Sequence, residues 1–400
     1  MINKMKIVFA FRGTIRNSNF EAMSRTIVPI IEALPEDIKN RTTLYVGGVY
    51  NTQMNFSIKN VIFFFDFMQR LILFLNRKIF KLPHYKVYYL NERLYDIFLS
   101  LRINEPTVII STTYLYKTIK KNKKLGGKNL LLAGNPDDFE IYSILKKEKN
   151  KYNLKFEDAY TYKPRVRYGL KSVSAFDHII TLNELQVESF TKRIPTEKVS
   201  CIHADIMPDY NRFLEKDIEK DKILTFCFVA HPFWLKGLIY LLEAWKEIDS
   251  LNCKLKIGGR IDEHLQKIID ERYYNLQNVQ YTGEVKNMNF FLRSSHVCII
   301  PSLLDASPRT VTEAMYCGLP VIVTDGCGNK GLINDGINGF IIPSGNSATI
   351  AEKMKWFVQN RDKISPMGIE ARKTIQNLAE IDFKNVVNQL LYIIEKMQNK

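Results

Sequence analysis

Apolar positions along the chain fall into short runs, and these runs are separated by longer stretches in which apolar residues recur every three or four positions. The short runs predict strands in the first half at 6–11, 42–46, 85–89, 107–111, 129–133, 178–181 and 198–203. In the second half they predict strands at 223–230, 254–257, 279–282, 296–301, 321–324 and 339–342. Strands that alternate with helices indicate parallel sheets covered on both faces.

Helical periodicity fills most of the intervals. It predicts helices at 20–34, 56–82, 91–102 and 235–248, a basic helix after 111, a helix from 260 to about 276, and an amphipathic helix at 383–397. The segment 205–221 is polar and contains Pro208, and we interpret it as a linker. A chain of 400 residues exceeds what one core usually supports. We therefore predict an α/β fold with two Rossmann-like, doubly wound domains that face each other across a cleft.

Composition narrows the class of protein. Hydrophobic residues make up 46% and charged residues 25%, which excludes a disordered chain, a collagen-like repeat and a coiled coil. The net charge is +15, and residues 1–200 hold 33 basic and 18 acidic side chains against 24 of each in the remainder. The whole surplus therefore lies in the first half, which suggests that this half faces an anionic partner.

Several patterns bear on the compartment. The apolar run 7–11 is too short for a signal peptide, and no stretch reaches the length of a membrane-spanning helix. The six cysteines form no C-x-x-C pair and sit in apolar surroundings, so we expect buried free thiols. These features predict a cytoplasmic protein.

The densest chemical signal is the segment 301–320. A strand ends at Pro301, Asp305 follows in a short loop, Ser307 can cap a helix, and Pro308 suits its first turn. The unpaired N–H groups at such a helix start form an anion site, and Glu313 inside the helix could accept hydrogen bonds from sugar hydroxyls. The alternative is a loop acid followed by a capped, solvent-facing helix.

A second signal lies upstream. His231 follows the strand 223–230, and Lys236-Gly237 then open a helix. A lysine at a strand-to-helix turn can pair with a diphosphate, although for Lys236 alone a solvated residue at a helix start is the favoured interpretation. Two such sites at the ends of different strands favour a nucleotide diphosphate.

These residues resemble the donor-binding domain of family-four-type retaining glycosyltransferases, which have the glycosyltransferase B fold. That family has two acids eight residues apart, then Ala-Met-x-x-Gly-x-Pro-Val, and here Asp305 and Glu313 precede Ala314-Met315, Gly318 and Pro320-Val321. The further matches are Lys236-Gly237, Gly258-Gly259, Gly283 and Asn334-Asp335-Gly336-x-Asn338-Gly339. The resemblance covers 223–345 closely, whereas over 1–205 it is limited to the order of elements.

The resemblance implies roles for particular residues. Glu313 would hold the ribose of a sugar nucleotide, Lys236 its diphosphate, and Asp305 the transferred sugar. The remaining donor-site residues would be His231, Gly259, Gly283, Ser307, Pro308, Arg309 and Thr310. Transfer would retain the anomeric configuration with no metal and no cofactor beyond the nucleotide diphosphate sugar, which is a co-substrate. The chain departs from the family where His231 replaces an arginine and Asp305 replaces a glutamate.

The first half carries weaker expectations. Where many members have a histidine after the fifth strand, this chain reads Ala133-Gly134-Asn135-Pro136-Asp137-Asp138. We interpret Asp137 as a catalytic residue on the acceptor side, and Gly13, Thr14 and Asn135 as acceptor-side loop residues. The resemblance implies an acceptor domain at 1–205, a donor domain at 209–378, and a last helix within 379–400 that packs back on the first domain.

Basic segments of the first half favour an anionic membrane surface over nucleic acid. Lysines crowd 117–128, and the segment 56–82 combines phenylalanines with Arg70, Arg77, Lys78 and Lys81. A core helix with a solvated basic face is the alternative, and no nucleic-acid module is recognisable.

The sequence thus predicts a glycosyltransferase that acts on a glycan or lipid-linked glycan in bacterial capsule or lipopolysaccharide synthesis, on the inner face of the cell membrane. Two alternatives stay open. One is a sugar-nucleotide epimerase on the same fold, and the other is a non-catalytic nucleotide-sugar-binding subunit.

Overall fold

The computed structural model describes residues 5–16, 19–20, 24–50, 54–60, 65–203, 223–230, 234–248, 252–378 and 383–398. The chain divides into two compact units. Unit 1 comprises residues 1–206 and 381–400, and unit 2 comprises residues 207–380.

Unit 1 contains a sheet whose order is β4-β3-β1-β5-β6-β7-β8, with the short β2 antiparallel to β1 and every other pairing parallel. Its strands are β1 Lys6–Arg16, β2 Asn19–Phe20, β3 Thr42–Tyr50, β4 Ser57–Asn60, β5 Thr107–Ser111, β6 Lys128–Leu132, β7 His178–Thr181 and β8 Val199–Cys201. Its helices are α1 Ser24–Glu32, α2 Glu36–Lys39, α3 Phe65–Leu75, α4 His84–Arg102, α5 Tyr116–Lys124, α6 Asp138–Tyr152, α7 Lys163–Ala175 and α8 Glu184–Thr191.

Alternation along the strands of unit 1 builds a core on each face of its sheet. Ile7 and Phe9 of β1 point into one core, and Val8 and Ala10 point into the other. The last helix of the chain, α15, lies on the first of these faces. It covers Phe383–Gln398 and buries the apolar positions Val386, Val387, Leu390, Ile393 and Ile394 in the same core as α1. The chain therefore returns from unit 2 to complete unit 1.

Two predictions for unit 1 are wrong. Residues 85–89, predicted as a strand, form the start of α4, because Val87, Tyr95 and Leu99 bury one face at helical spacing and this packing outweighs the strand preference of Tyr and Val. The single helix predicted at 56–82 is divided into β4, α3 and a π-helical turn at Asn76–Phe80. A long apolar run does not by itself distinguish a strand followed by a helix from one helix.

Unit 2 contains a fully parallel six-stranded sheet with the order β11-β10-β9-β12-β13-β14. The strands are β9 Leu224–Val229, β10 Cys253–Gly258, β11 Val279–Gly283, β12 Val297–Ile300, β13 Val321–Thr324 and β14 Gly339–Ile342. The helices are α9 Leu238–Trp245, α10 Glu263–Arg272, α11 Met288–Arg293, α12 Arg309–Tyr316, α13 Ser347–Gln359 and α14 Ile364–Gln376. Two parallel-sheet α/β units confirm the predicted fold class.

The cysteines behave as the sequence predicts. All six are free thiols, and five of them are buried, Cys201 being the partly exposed one. Burial raises the pKa of Cys317 and of Cys327 to about 12. These groups therefore remain protonated thiols at neutral pH and act as small apolar side chains.

Candidate functional site

A cavity of about 640 Å³ opens at the carboxyl ends of the strands of unit 2. Its walls come from the ends of β9, β10 and β12 and from the start of α12. The residues that line it are Phe228, Val229, Ala230, Lys236, Gly259, Arg260, Glu284, Val285, Met288, Ile299, Ile300, Ser302, Asp305, Ser307, Pro308, Arg309, Thr310 and Glu313.

The strand order explains why the cavity lies there. β9 comes first in the chain and lies between β10 and β12, so the connections leave it in opposite directions. Helices on the two sides of this switch point diverge and leave a crevice beyond the strand ends, where open parallel sheets bind their ligands. The sequence-predicted residues after β9 and after β12 meet at this crevice.

Lys236 is positioned by a tight connection after β9. It ends a 3-10 turn, Trp234–Lys236, and Gly237 then begins α9 with φ at +70°. A Cβ built on Gly237 would lie 1.9 Å from the carbonyl oxygen of Pro301. Glycine is thus required both by the left-handed backbone and by the close approach of the β12 end.

Asp305 is held in the loop after β12 by backbone hydrogen bonds. Its N–H donates to the carbonyl oxygen of Gly326 at 2.9 Å, and its own carbonyl oxygen accepts from Gly328 N–H at 2.9 Å. Its carboxylate accepts a hydrogen bond from Lys236 Nζ, and both side chains are mostly buried. The predicted cation and the predicted sugar-binding acid are therefore direct partners.

The start of α12 differs in one respect from the prediction. Pro308, not Ser307, occupies the N-cap position, and no side chain caps the first turn. Proline at this position removes one amide that would need a partner, and the serine lies one residue too early to reach the first-turn amides. Ser307, Arg309 and Thr310 all line the cavity beside this turn, so the positive end of the helix lies at the cavity wall.

Glu313 lies on the second turn of α12 and lines the cavity, as predicted. Thr310 anchors the same helix to the central strand, because its Oγ1 donates to the carbonyl oxygen of Val229 at 3.3 Å. Asn329 holds the other side of the turn, with Nδ2 donating to the carbonyl oxygen of Pro308 at 3.0 Å. The first turn of α12 is thereby fixed from two directions.

Sequence reasoning missed two charged groups of the cavity, Arg260 and Glu284. Each comes directly after a glycine at a strand end, Arg260 after Gly259 and Glu284 after Gly283. The rule that parallel sheets bind ligands beyond the carboxyl ends of their strands also identifies the residue that follows each glycine. With them, the described lining carries three cations and three carboxylates.

The two glycines serve the backbone in different ways. Both have positive φ, +118° at Gly259 and +64° at Gly283, and Gly259 N–H donates to the carbonyl oxygen of Gly283 at 2.7 Å. Gly259 lines the cavity, whereas Gly283 is absent from the lining. Gly283 therefore contributes to the site only by setting the backbone conformation of the loop that follows β11.

The structure gives Asp137 an environment that differs from the predicted acceptor-side role. Its side chain is 1% exposed. Arg193 donates to both carboxylate oxygens, at 2.9 and 3.2 Å, and Phe139 N–H donates to Oδ1 at 3.3 Å. Asp137 is thus the N-cap of α6 and one partner of an ion pair, and burial raises the pKa of its carboxyl group. The acceptor-side role of Asp137 stays a prediction from the family resemblance, whereas helix capping and the ion pair are what the structure shows for it.

The other acceptor-side residues fall in β1 and after β6. Gly13 lies at an irregularity in the pairing of β1 with β3, between Phe11 and Thr14, and the backbone of Thr14 pairs with Gly48. Asn135 follows β6 and is exposed. His231, predicted to replace an arginine of the donor site, lies outside the described residues.

One group of potential metal ligands occurs among the described residues, and it lies in unit 1. It comprises Glu184, Cys201 and His203, whose ligand atoms lie within 4.8 Å of one another. Glu184 and His203 are both about two-thirds exposed, and His203 Nε2 lies 3.4 Å from Glu184 Oε1. None of these three residues lines the cavity.

Fold and cavity together define unit 2 as a Rossmann-like domain with the start of a helix at its switch point, where parallel-sheet folds commonly bind anionic ligands. Comparison with known proteins shows what this domain is similar to. Residues 210–374 match the model of the family described as glycosyl transferases group 1.

Curated relatives point in the same direction. An uncharacterized glycosyltransferase of Haemophilus influenzae is 26% identical over 50% of this chain and 57% of its own length. A poly(ribitol-phosphate) alpha-N-acetylglucosaminyltransferase of Staphylococcus aureus is 22% identical over 66% of this chain and 54% of its own length. The chain thus spans a little over half the length of these relatives.

Similarity to solved structures extends over nearly the whole chain. Anabaena HepE, crystallised in complex with UDP, aligns with 98% of this chain and 100% of its own, with a TM-score of 0.59 and 13% identity. At that identity the likeness establishes the fold, which is the two-domain glycosyltransferase B fold that the sequence predicts.

Proposed function

We propose that the protein is a retaining glycosyltransferase that moves a sugar from a nucleotide diphosphate sugar to a glycan or lipid-linked glycan, without a metal ion. The observation that carries this proposal is the cavity at the switch point of unit 2. There a lysine, an arginine at a helix terminus and two carboxylates surround a space large enough for a nucleotide sugar.

The charge and position of each residue assign it to one part of the sugar-nucleotide donor. Lys236 Nζ and the first-turn amides of α12 would face the diphosphate, since both present N–H donors to the same wall. Arg309 begins α12 and adds a second cation at that wall. Glu313 would accept hydrogen bonds from the ribose hydroxyls, as a carboxylate beside a phosphate site does in dinucleotide folds. Asp305 would contact the transferred sugar.

The Lys236–Asp305 pair bears on stereochemistry. An inverting transfer uses a carboxylate as general base to deprotonate the acceptor, and the base must be available for that proton. The Asp305 carboxylate instead accepts a hydrogen bond from Lys236 inside a mostly buried pair, so its described partner is a cation of the proposed donor site. The Staphylococcus aureus relative is named for forming an alpha-linked product. We infer retention on these two grounds.

Departure of the nucleotide diphosphate needs neutralisation of the charge that develops on its phosphate oxygens. Lys236, Arg309 and the positive end of α12 would supply this neutralisation through fixed protein groups. Arg260 lies on the same cavity. The proposed reaction is therefore metal-independent.

The two units would divide the substrates. Unit 2 holds the candidate donor site, whereas the charge surplus of the chain lies within residues 1–200, which belong to unit 1. We assign the donor to residues 209–378 and the acceptor to residues 1–205, completed by the helix within 379–400. A basic acceptor unit suits an anionic glycan, and the relative named for poly(ribitol-phosphate) acts on such a polymer. The setting would be synthesis of a bacterial capsule or lipopolysaccharide at the inner face of the cell membrane.

The test begins with donor binding. A thermal-shift screen of UDP-, GDP-, ADP- and CMP-sugars identifies the nucleotide, and a transfer assay with the preferred sugar nucleotide and a bacterial glycolipid extract measures turnover. Lys236→Ala and Glu313→Ala should each abolish transfer while the protein stays folded. Lys355→Ala and Glu352→Gln are matched controls, because both side chains lie on α13 in surface ion pairs of unit 2.

The outcomes separate the alternatives. Transfer by the wild type and by both controls, with loss in both cavity variants, supports the proposal. Conversion of the sugar nucleotide without an acceptor would identify an epimerase, and tight binding without conversion would identify a binding subunit. Near-normal turnover in both cavity variants would overturn the assignment of the site.

A further inference from the structure

An exposed apolar segment of unit 1 takes no part in the candidate donor site. It runs from Phe67 through α3 and the π-helical turn to Leu82, and we call it the tip segment. The exposed fractions are 60% for Phe67, 58% for Phe74, 64% for Ile79 and 60% for Phe80. Leu73 and Leu82 are also exposed. Contiguous large apolar side chains at such exposure are rare on a soluble surface and mark an interaction site.

Helical spacing gathers these side chains on one face. In α3 the exposed positions are Phe67, Arg70, Leu73 and Phe74, which recur three and four residues apart, whereas Leu71, Ile72 and Leu75 are partly buried. The partly buried side belongs to a helix that contacts β3 and α4. One side of α3 is therefore attached to unit 1, and the other presents phenylalanine and arginine outward.

The far end of the tip segment is held in place by its own backbone. Asn76 closes the turn, with Nδ2 donating to the carbonyl oxygen of Leu82 at 2.9 Å and Oδ1 accepting from Leu82 N–H at 2.7 Å. Lys81 adopts a left-handed conformation with φ at +48°, which lets the chain reverse there. Ile79 and Phe80 belong to the residues that this turn encloses in the sequence. Their side chains are therefore exposed in a defined backbone conformation.

The charge of the tip segment has one sign. Arg70, Arg77, Lys78 and Lys81 are all exposed, and no acidic residue occurs from residue 67 to residue 91. Cations that alternate with apolar side chains on one exposed surface are complementary to an anionic bilayer in both charge and hydrophobicity. The apolar groups enter the acyl boundary while the cations meet the phosphates of the head groups.

The other basic segment of unit 1 is different. On α5, Lys121 Nζ donates to the carbonyl oxygen of Ser100 and to Asn104, and Lys123 pairs with Asp177. These partners place α5 beside the end of α4, whereas the tip segment precedes its start, about 25 Å away along the helix at 1.5 Å per residue. Lysine density in the sequence therefore does not mark the interaction surface by itself.

We propose that the tip segment docks unit 1 onto a bilayer that contains anionic phospholipids, with Phe74, Ile79 and Phe80 inserted at the interface. Within the described residues, no helix is long and apolar enough to cross a membrane. Docking is therefore peripheral, driven by apolar insertion and by the four cations together. The inference goes beyond the proposed transfer reaction, since it concerns a surface that lines no part of the donor cavity.

The experiment is vesicle co-sedimentation of the full chain without any sugar nucleotide, so its result is independent of the proposed function. Vesicles of phosphatidylglycerol with phosphatidylcholine are compared with phosphatidylcholine alone. Binding should require the anionic lipid and weaken at high salt. The double variant Ile79→Ser/Phe80→Ser should lower the partition coefficient at least about tenfold. Arg77→Gln/Lys78→Gln should lower it about fivefold per cation.

Matched variants control for loss of apolar or charged surface elsewhere. Leu101→Ser/Ile369→Ser removes two apolar side chains of similar exposure, 61% and 53%, and Lys120→Gln/Lys124→Gln removes two exposed cations from α5. Both controls should bind as the wild type does. Circular dichroism and the melting temperature check that every variant is folded.

Several results would overturn the inference. Absence of wild-type binding to anionic vesicles is one, and equal losses in the tip and control variants are another. Light scattering gives the third: a wild-type oligomer that dissociates in Ile79→Ser/Phe80→Ser, with vesicle binding unchanged, would make the tip segment a contact between copies of the chain.

Discussion

Lys236 Nζ donates a hydrogen bond to the carboxylate of Asp305, although the two residues are 69 positions apart in the chain. The lysine follows the central strand β9 and the acid follows its neighbour β12, so their pairing spans the switch point of the sheet. The pair fixes the lysine at the cavity wall and offsets its charge. A phosphate that approaches Lys236 therefore competes with Asp305 for the same ammonium group.

This competition predicts opposite effects for the two partners on binding of a nucleoside diphosphate. Asp305→Asn removes a negative charge beside the proposed phosphate site and should tighten UDP or GDP binding about 3- to 10-fold. Lys236→Ala removes a charge-assisted donor and should weaken it about 10- to 100-fold. Isothermal titration calorimetry measures both. Weaker binding in Asp305→Asn would show that the acid supports the phosphate site instead of competing with it.

Alanine substitutions at Gly237 and Gly283 distinguish the cost of backbone strain from the cost of a steric clash. Gly237→Ala would place Cβ 1.9 Å from the carbonyl oxygen of Pro301 at φ +70°, whereas Gly283→Ala meets nothing within 4 Å at φ +64°. We expect a loss in the free energy of unfolding of about 1 kcal/mol for Gly283→Ala and at least about 3 kcal/mol for Gly237→Ala. Urea unfolding checks this difference, and equal losses would contradict the close approach.

The environment of Asp137 predicts a structural role. Asp137→Ala removes the α6 cap and leaves Arg193 without its carboxylate partner, so the free energy of unfolding should fall by about 2–4 kcal/mol. Asp137→Asn keeps a capping oxygen and should lose about half as much. Nucleotide binding, which we assign to unit 2, should not change in either variant. A stable Asp137→Ala variant that had lost transfer would instead support the catalytic role that the resemblance implies.

The same residue gives a pH dependence. Burial raises the pKa of the Asp137 carboxyl group above its ordinary 3.8. A carboxyl whose pKa is raised in the folded state favours folding most when protonated. Its contribution is thus complete below 3.8 and declines as pH rises through the folded-state value. The stability difference between wild type and Asp137→Asn should follow that slope in urea titrations at several pH values.

Thiol reactivity tests the core of unit 2. The pKa of Cys317 and of Cys327 is raised to about 12 by burial, and the pKa of Cys298 is raised by its contact with Cys227 and by burial. At pH 8 a thiol reagent should therefore modify one cysteine of the folded protein, the partly exposed Cys201, and all six after denaturation. Since the raised values exceed those of free thiols, stability should decline as pH rises from about 9 toward 12. Rapid modification of two or more cysteines at pH 8 would show an open core.

The sequence predicts those features that depend on residues close together in the chain, and it does not predict those that depend on contacts between distant segments. The alternation of short apolar runs with helical periodicity predicts the two parallel sheets. The positions of residues directly after β9 and β12 predict that their side chains meet at the cavity. These features follow from strand direction alone, since parallel strands bring their carboxyl ends to one edge. The burial of five thiols likewise followed from their apolar neighbours.

Only the tertiary structure decided the remaining features. Residues 85–89 have strand-forming side chains but pack as the first turns of α4, and Asp137 reads as a catalytic acid but meets Arg193 from another helix. Lys236 and Asp305 both line the cavity, yet the sequence does not predict the hydrogen bond between them. The reason is the same in each case. The sequence specifies local conformation and the face that a side chain occupies, whereas the partner it meets there depends on distant segments that only packing brings within hydrogen-bonding distance.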